Sequence, residues 1–176
     1  MSHRLETLIT EAEIQDRVKE LGVEIRNAIG EGPIVLLCVL KGAYPFMADL
    51  ARAISGEVLV DFVQTSSWHG GRSSTGSVQI KRDHDIDIEG HHVVIVEDIV
   101  DTGTTLTYLR QLLKTRNPAS LRVAAMLDKP EARKHEVHVE HLGFSIPNKF
   151  VVGYGLDDNE RYRNLPYVAA LVEDSP

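Results

Sequence analysis

Three observations predict an α/β fold, with a parallel sheet covered by helices on both faces. Runs of β-branched and aliphatic residues alternate along the chain with segments whose apolar residues recur every three to four positions. Several strand-like runs, 34–40 and 93–96 above all, are apolar throughout, as strands buried on both faces are. The 176 residues, 43% hydrophobic and 26% charged, suffice for one folded domain with a sizeable core, which argues against a disordered chain.

Taken in order, Thr10 and Glu13 form a capping box ahead of Ile14, Val18, Leu21, Ile25 and Ile29 at helical spacing. That helix closes near Gly30 and Gly32. Residues 34–40 read as a buried strand, 44–54 as a second helix and 58–65 as a strand. Residues 66–76, rich in Ser and Gly, offer little to anchor in a core and are expected to form a mobile loop. Extended structure resumes at 78–80, and His91-His92 lead into the 93–96 strand. Leu106, Leu109 and Leu113 mark the buried stripe of a third helix ending near Asn117-Pro118. Further strands are expected at 121–127, 144–146, 150–154 and 168–172. No repeat, low-complexity tract or linker divides the chain, so residues 1–176 are read as one domain.

Charge and cysteine content narrow the function classes. A net charge of −7 argues against non-specific attraction to nucleic acid or an anionic membrane. The single cysteine, Cys38, lies in an apolar run, where burial disfavours the thiolate, so it is read as inert core. The N-terminal residues lack the apolar stretch of a signal peptide and no run approaches membrane-spanning length, which makes the cytoplasm the expected location.

The most informative segment is Val93-Val94-Ile95-Val96-Glu97-Asp98-Ile99-Val100-Asp101-Thr102-Gly103-Thr104-Thr105-Leu106. A buried strand delivers two carboxylates, then a third, then a small hydroxyl-rich turn that opens a helix. In parallel sheets ligands bind outside the carboxyl ends of the strands, where this segment lies. A turn at a helix N-terminus presents N–H groups to an anion, and Gly103 permits close approach. The acids beside it would repel a bare phosphate but suit a ligand that also carries sugar hydroxyls and a cation. The pattern therefore points to a phosphorylated ribose. Taken separately, its parts have plainer explanations: a solvated strand end for Glu97-Asp98, and a helix cap for Asp101 and the threonines. Adjacent strand residues point to opposite faces, so Glu97 and Asp98 can serve one ligand only if the strand ends there.

The joined motif resembles the phosphoribosyl pyrophosphate (PRPP) binding motif of the type I phosphoribosyltransferases. The resemblance extends through Val39-Leu40-Lys41-Gly42, Ser74-Thr75-Gly76, Lys129 and Lys149-Phe150-Val151-Val152-Gly153-Tyr154, a set similar to the hypoxanthine (hypoxanthine-guanine) phosphoribosyltransferases. It implies a Rossmann-like parallel sheet with a small hood built from chain-terminal segments. The implied reaction is purine salvage, in which the 5-phosphoribosyl group passes from PRPP to hypoxanthine, and to guanine, giving the nucleotide and pyrophosphate. Mg²⁺ is the implied cofactor, and a homodimer or homotetramer the implied assembly.

The resemblance also implies roles. Asp101, Thr102, Gly103, Thr104 and Thr105 would hold the 5′-phosphate, with Asp101 also the proton acceptor at purine N7. Thr104 stands where some relatives have lysine. Glu97 and Asp98 would hold the ribose hydroxyls and, through water, Mg²⁺; Asp157 would lie near metal and purine, although composition alone leaves Asp158 equally eligible. Lys41, Gly42 and Arg163 would hold pyrophosphate, with a cis peptide before Lys41. Lys129 would face the purine O6, since an ammonium only donates and finds an acceptor in a keto oxygen but not in adenine's amino group. Phe150 would stack on the purine and the Val151 main chain meet its edge. Ser67 and Trp68 would belong to a lid spanning about 66–77, where relatives usually have tyrosine in place of Trp68; indole donates a hydrogen bond but accepts none.

Two other readings compete with this one. His135, His138 and His141 recur every three residues, but in an extended segment His138 faces away from the others, so a zinc site is not expected. The rival functions are a xanthine- or adenine-preferring relative and an RNA-binding attenuator on the same fold; the latter needs a basic face that a net −7 does not suggest.

Overall fold

The structure, a computed structural model, describes residues 3–67 and 78–173. Trp68, Ser74, Thr75 and Gly76 lie outside the described residues.

Among the described residues are nine strands, arranged in two sheets, and three helices. The strands are β1 His3–Ile9, β2 Ile34–Leu40, β3 Val58–Ser67, β4 Val78–Arg82, β5 His92–Val100, β6 Ser120–Asp128, β7 His141–Ser145, β8 Val151–Val152 and β9 Val168–Glu173. The helices are α1 Glu11–Ile29, α2 Tyr44–Ala53 and α3 Thr104–Lys114, with a 3₁₀ turn at Pro130–Ala132. The main sheet has the order β4-β3-β2-β5-β6-β7, parallel except for the antiparallel edge strand β4. The second sheet, β1-β9-β8, is antiparallel and combines the N-terminal strand with two strands from the last quarter of the chain.

The expected capping box is present: Thr10 Oγ1 accepts from the Glu13 N–H at 3.3 Å, and Glu13 Oε2 accepts from the Thr10 N–H at 2.8 Å. Alternate residues of the apolar strands feed two cores. Ile34, Leu36, Cys38, Val94 and Val96 pack with α1 and α2, while Val35, Leu37, Val93 and Ile95 pack with Leu106, Leu109 and Leu113 of α3. Each fully buried leucine or isoleucine contributes about 1.5–3 kcal/mol, so the sheet is held from both sides. The first core continues without a break into the small sheet through Ile9, Val151, Tyr154 and Val168.

The fold departs from the sequence expectations at several points. β1 was not anticipated: its seven residues are mostly polar, and they become a strand only by pairing with β9. Ser66 and Ser67, assigned to the loop, extend β3, where they pair with Gln79 and Val78. The strand expected at 144–146 starts earlier, at His141. The strand expected at 150–154 is only Val151–Val152, because Gly153 (φ 97°), Tyr154 (φ 48°) and Gly155 (φ 97°) turn the chain through left-handed backbone. β5 also does not end at Glu97-Asp98 but runs on to Val100. Among the described residues no helix is long and apolar enough to cross a membrane.

Candidate active site

β5 is central, and its two neighbours release it at different points. Pairing with β2 stops at Cys38 and Val96, whereas pairing with β6 continues to Val100 and Asp128. Past Val96 one side of β5 is therefore open, and Glu97 and Asp98 occupy that opening. The divergence of β2, and not a strand end, lets both carboxylates border one cavity. That cavity, of about 300 Å³, is lined by Lys41, Gly42, Thr65, Glu97, Asp98, Thr105, Asp157 and Arg163 together with Val39, Leu40 and Ile99. A smaller one, of about 90 Å³, adjoins it and is lined by Asp101, Thr102 and Gly103 among others; Glu97, Ile99 and Thr105 line both. Thr65, on β3, was not singled out in the sequence because it reads there as an ordinary strand residue.

The turn between β5 and α3 is built to leave its donors free. Gly103 is the N-cap of α3, at φ 83°, and has no side chain to cap it; only the Thr102 hydroxyl reaches the helix start, accepting from the Thr104 N–H at a long 3.4 Å. A Cβ on Gly103 would stand 2.7 Å from the His135 carbonyl oxygen, so only glycine fits. The Thr102 carbonyl accepts from the N–H groups of Lys134 and His135 at 2.9 and 3.0 Å, and Arg133 Nη1 donates to the Asp101 carbonyl at 3.1 Å. Arg133 is itself held by an ion pair with Asp128. These contacts engage the carbonyls of the turn, while the N–H groups of Thr102 and Gly103 meet no acceptor among the described residues. Thr104 lines neither cavity; its hydroxyl pairs with that of Thr102 at 3.0 Å. The bracing segment 133–135 was missed in the sequence, where it reads as solvated surface.

The carboxylates are electrostatically costly. Burial first, and the neighbouring Asp98 second, push Glu97 well above the usual carboxylate range. Burial also raises Asp98, to about 6, against the opposing pull of backbone N–H groups and Arg163. Both effects disfavour the charged form. A carboxyl with a raised folded-state value makes the fold bind more protons than the unfolded chain, so stability falls as pH rises through the window between about 4 and 6 and stays lowered above it. Glu97→Gln combined with Asp98→Asn is therefore expected to raise the melting temperature of the ligand-free protein at pH 7.5 by ~5 °C, with the gain fading towards pH 5. Thermal unfolding across that pH range checks it; a variant less stable than the parent at pH 7.5 would contradict the assignment of cost to these two groups.

Opposite the acids stand two cations. The Leu40–Lys41 peptide is cis, as the resemblance implied. A Cβ on Gly42 would lie 1.6 Å from Asp98 Oδ2, so the Asp98 carboxylate packs directly on the Gly42 backbone and only glycine fits there. Arg163 Nη1 donates to the Gly155 carbonyl at 2.7 Å and its Nη2 lies 3.0 Å from Asp157 Oδ1. The loop that carries Asp157 and Arg163 is moored by Tyr154, whose hydroxyl donates to Asp49 of α2 at 2.7 Å.

Of the residues expected near the purine, Asp157 lines the larger cavity, whereas Lys129, Phe150 and Val151 line neither. Lys129 is buried just beyond β6, its N–H donating to the Val100 carbonyl at 3.0 Å, and among the described residues nothing accepts a hydrogen bond from its ammonium. Phe150 is 55% exposed, an unusual position for a large aromatic. The Val151 side chain is core, and its strand β8 is an edge of the small sheet. Asp158 and Arg161 pair with each other, 3.3 Å apart. Among the described residues no group of three His, Cys, Asp or Glu side chains could by itself hold a metal ion, the histidines 135, 138 and 141 included. Burial drives the Cys38 thiol up to about 12, consistent with an inert core residue.

Residues 7–159 match the family described as phosphoribosyl transferase domain. A hypoxanthine-guanine phosphoribosyltransferase of Streptococcus pneumoniae is 48% identical over 168 residues, covering 95% of this chain and 93% of that one. The crystal structure of a hypoxanthine-guanine phosphoribosyltransferase from Bacillus anthracis superposes with a TM-score of 0.91 at 43% identity, covering 95% of this chain and 98% of the other. The Trypanosoma cruzi hypoxanthine phosphoribosyltransferase in complex with the product IMP gives a TM-score of 0.87 at 43% identity, with 94% and 93% covered. The turn with free amides, the buried acid pair and these likenesses agree, and the chain belongs to the hypoxanthine-guanine phosphoribosyltransferase family of enzymes.

Proposed function

We propose that this enzyme transfers the 5-phosphoribosyl group of PRPP to hypoxanthine, and to guanine, releasing pyrophosphate and forming the purine 5′-monophosphate. The observation that carries this reading is the pair of adjoining cavities sharing Glu97 and Thr105 at the open side of β5. The smaller one suits the 5′-phosphate, which would take the unpaired N–H groups of Thr102 and Gly103 and the hydroxyls of Thr102 and Thr105 as donors. The larger one suits ribose and pyrophosphate, with Glu97 and Asp98 accepting from the sugar hydroxyls and Lys41 and Arg163 facing the leaving group.

In the transfer a purine ring nitrogen bonds to C1′ while the C1′–oxygen bond to pyrophosphate breaks, its electron pair leaving with the pyrophosphate. Asp101 takes the proton the ring sheds at N7 and offsets positive charge growing on the sugar. Phe150 stacks on the base and the Val151 main chain meets its edge. Two buried, adjacent carboxylates suit Mg²⁺, which takes few protein ligands and completes its shell with water and substrate phosphate oxygens. Bound there with the substrate, it supplies positive charge against the leaving pyrophosphate. Glu97 and Asp98 would hold it through water. Asp157, turned to Arg163, would stand near it.

Base choice is assigned to Lys129. The Lys129 side chain is largely buried and its ammonium has no acceptor among the described residues; it can donate to the keto O6 of hypoxanthine or guanine and finds no acceptor in adenine's amino group. Pyrophosphate release with hypoxanthine, guanine, xanthine and adenine in parallel is expected to rank adenine, the one base of the four without a 6-keto oxygen, last, by at least about 10²-fold. Lys129→Gln should raise the KM for hypoxanthine by about tenfold or more and narrow its lead over adenine. Equal rates with all four bases would refute the assignment.

A further inference from the structure

The two cations assigned to pyrophosphate are not free in this structure: both converge on one carboxylate, Glu160. Lys41 Nζ lies 3.1 Å from Glu160 Oε1, while Nε and Nη2 of Arg163 each lie 3.3 Å from Oε2. A two-oxygen anion thus bridges a lysine after β2 and an arginine from the loop before β9.

The local backbone is arranged to deliver that carboxylate. Asn159 and Glu160 both take left-handed backbone, at φ 51° and 65°, which residues with a side chain rarely adopt. The Glu160 N–H donates to Asp157 Oδ2 at 2.8 Å, fixing the turn on the carboxylate that also meets Arg163. Hydrogen bonding from Lys41 first, and from Arg163 after it, holds the Glu160 carboxyl below the usual range, so the group is ionised at neutral pH.

The bridge is nonetheless weak. The Glu160 side chain is 64% exposed and that of Lys41 56%, and ion pairs so open to water are screened and contribute little. An anion with more charge and more oxygens on the same two cations displaces it easily. The geometry points to Glu160 as a placeholder anion, occupying Lys41 and Arg163 when no pyrophosphate is bound, yielding to the ligand and returning as the product leaves. This rests on the reading above that Lys41 and Arg163 hold pyrophosphate. Its consequence is a lowered affinity for pyrophosphate and faster release of it. An empty site whose cations had no partner would hold the product longer.

The test is calorimetric titration of the whole protein with inorganic pyrophosphate and Mg²⁺ at low salt, comparing the parent with three variants. Glu160→Gln should tighten pyrophosphate binding by about three- to tenfold, with the gain shrinking as salt is raised. Asp158→Asn removes the same charge from the same loop, but this side chain pairs with Arg161 and Asn159 instead, so it should tighten binding by less than about twofold. Lys41→Gln should weaken binding by about tenfold. If Glu160→Gln binds no tighter, or Asp158→Asn tightens binding as much, the placeholder role is overturned while the site reading stands. If Lys41→Gln binds as the parent does, the site reading falls and the placeholder falls with it.

Discussion

Asp101→Ala is expected to lower turnover by about 10²–10⁴-fold while changing the affinity for PRPP by no more than about threefold. The side chain lines the smaller cavity and is exposed, and its main chain, not its carboxylate, is what Arg133 holds. The turn therefore keeps its shape when the carboxylate is removed. The competing view, that Asp101 caps α3, predicts a stability loss of about 1 kcal/mol. Gly103 occupies the N-cap and has no side chain to cap the helix, so no such loss is expected. Asp101→Asn is the sharper variant: it keeps shape and a hydrogen-bond acceptor but cannot take a proton. Pre-steady-state measurement of the transfer step, with PRPP affinity measured separately, reads the two effects apart. Undiminished turnover in both variants would remove Asp101 from the chemistry.

The second large effect is expected from Gly155→Ala. Gly155 adopts φ 97°, and a Cβ there would stand 1.9 Å from the Gly42 carbonyl oxygen and 2.8 Å from Pro45 Cδ. Left-handed backbone alone costs a residue with a side chain roughly 1–2 kcal/mol, and the overlap with Gly42 forces one of two backbones to move. Gly155 also exchanges hydrogen bonds with Arg163, its N–H donating to the Arg163 carbonyl at 3.0 Å and its carbonyl accepting from Nη1 at 2.7 Å. Displacing it should shift Lys41 and Arg163 together. The expected result is a fall in kcat/KM of at least about tenfold, carried by the KM for PRPP, and a melting temperature lowered by about 4–8 °C. Gly90→Ala separates the two causes: Gly90 is left-handed at φ 71°, but its Cβ would meet nothing within 4 Å. It should lose stability and keep its KM. An unchanged KM in Gly155→Ala would mean that this contact does not hold the site together.

The two proposals for the pyrophosphate side meet in the same loop. Asp157, Glu160 and Arg163 sit on consecutive turns that Tyr154 anchors to α2 through Asp49, and α2 follows directly from the Lys41-Gly42 turn. Both halves of the proposed pyrophosphate site therefore rest on one short structural route. The loop's left-handed residues, at 154, 159, 160 and 162, mark where the chain accepts unfavourable backbone to bring these groups to β5.

Local interactions made much of this protein legible without coordinates. The capping box of α1 involves residues three apart, and β2 and residues 93–96 of β5 are apolar at every position because helices cover both faces. The hydroxyl-rich turn at 102–105 is legible from its own residues, Gly103 and the threonines, although the distant segment 133–135 braces it. Long-range pairing hid the rest. β1 has no apolar pattern of its own and exists through β9, and Glu160 is an ordinary surface glutamate until Lys41 is brought alongside it. Thr65 and Arg133 carry no local signature: Thr65 reaches the cavity only because β3 lies beside β2, and Arg133 holds the Asp101 carbonyl 32 residues away.

The amino-acid order alone determined the strand and helix alternation, the carboxylate pair and the anion-seeking turn, because these depend on contacts within a few residues. Only the tertiary structure decided that Glu97 and Asp98 share one cavity: β2 leaves β5 after Val96 while β6 stays, and that difference in where two neighbours stop pairing opens the space a ligand can enter.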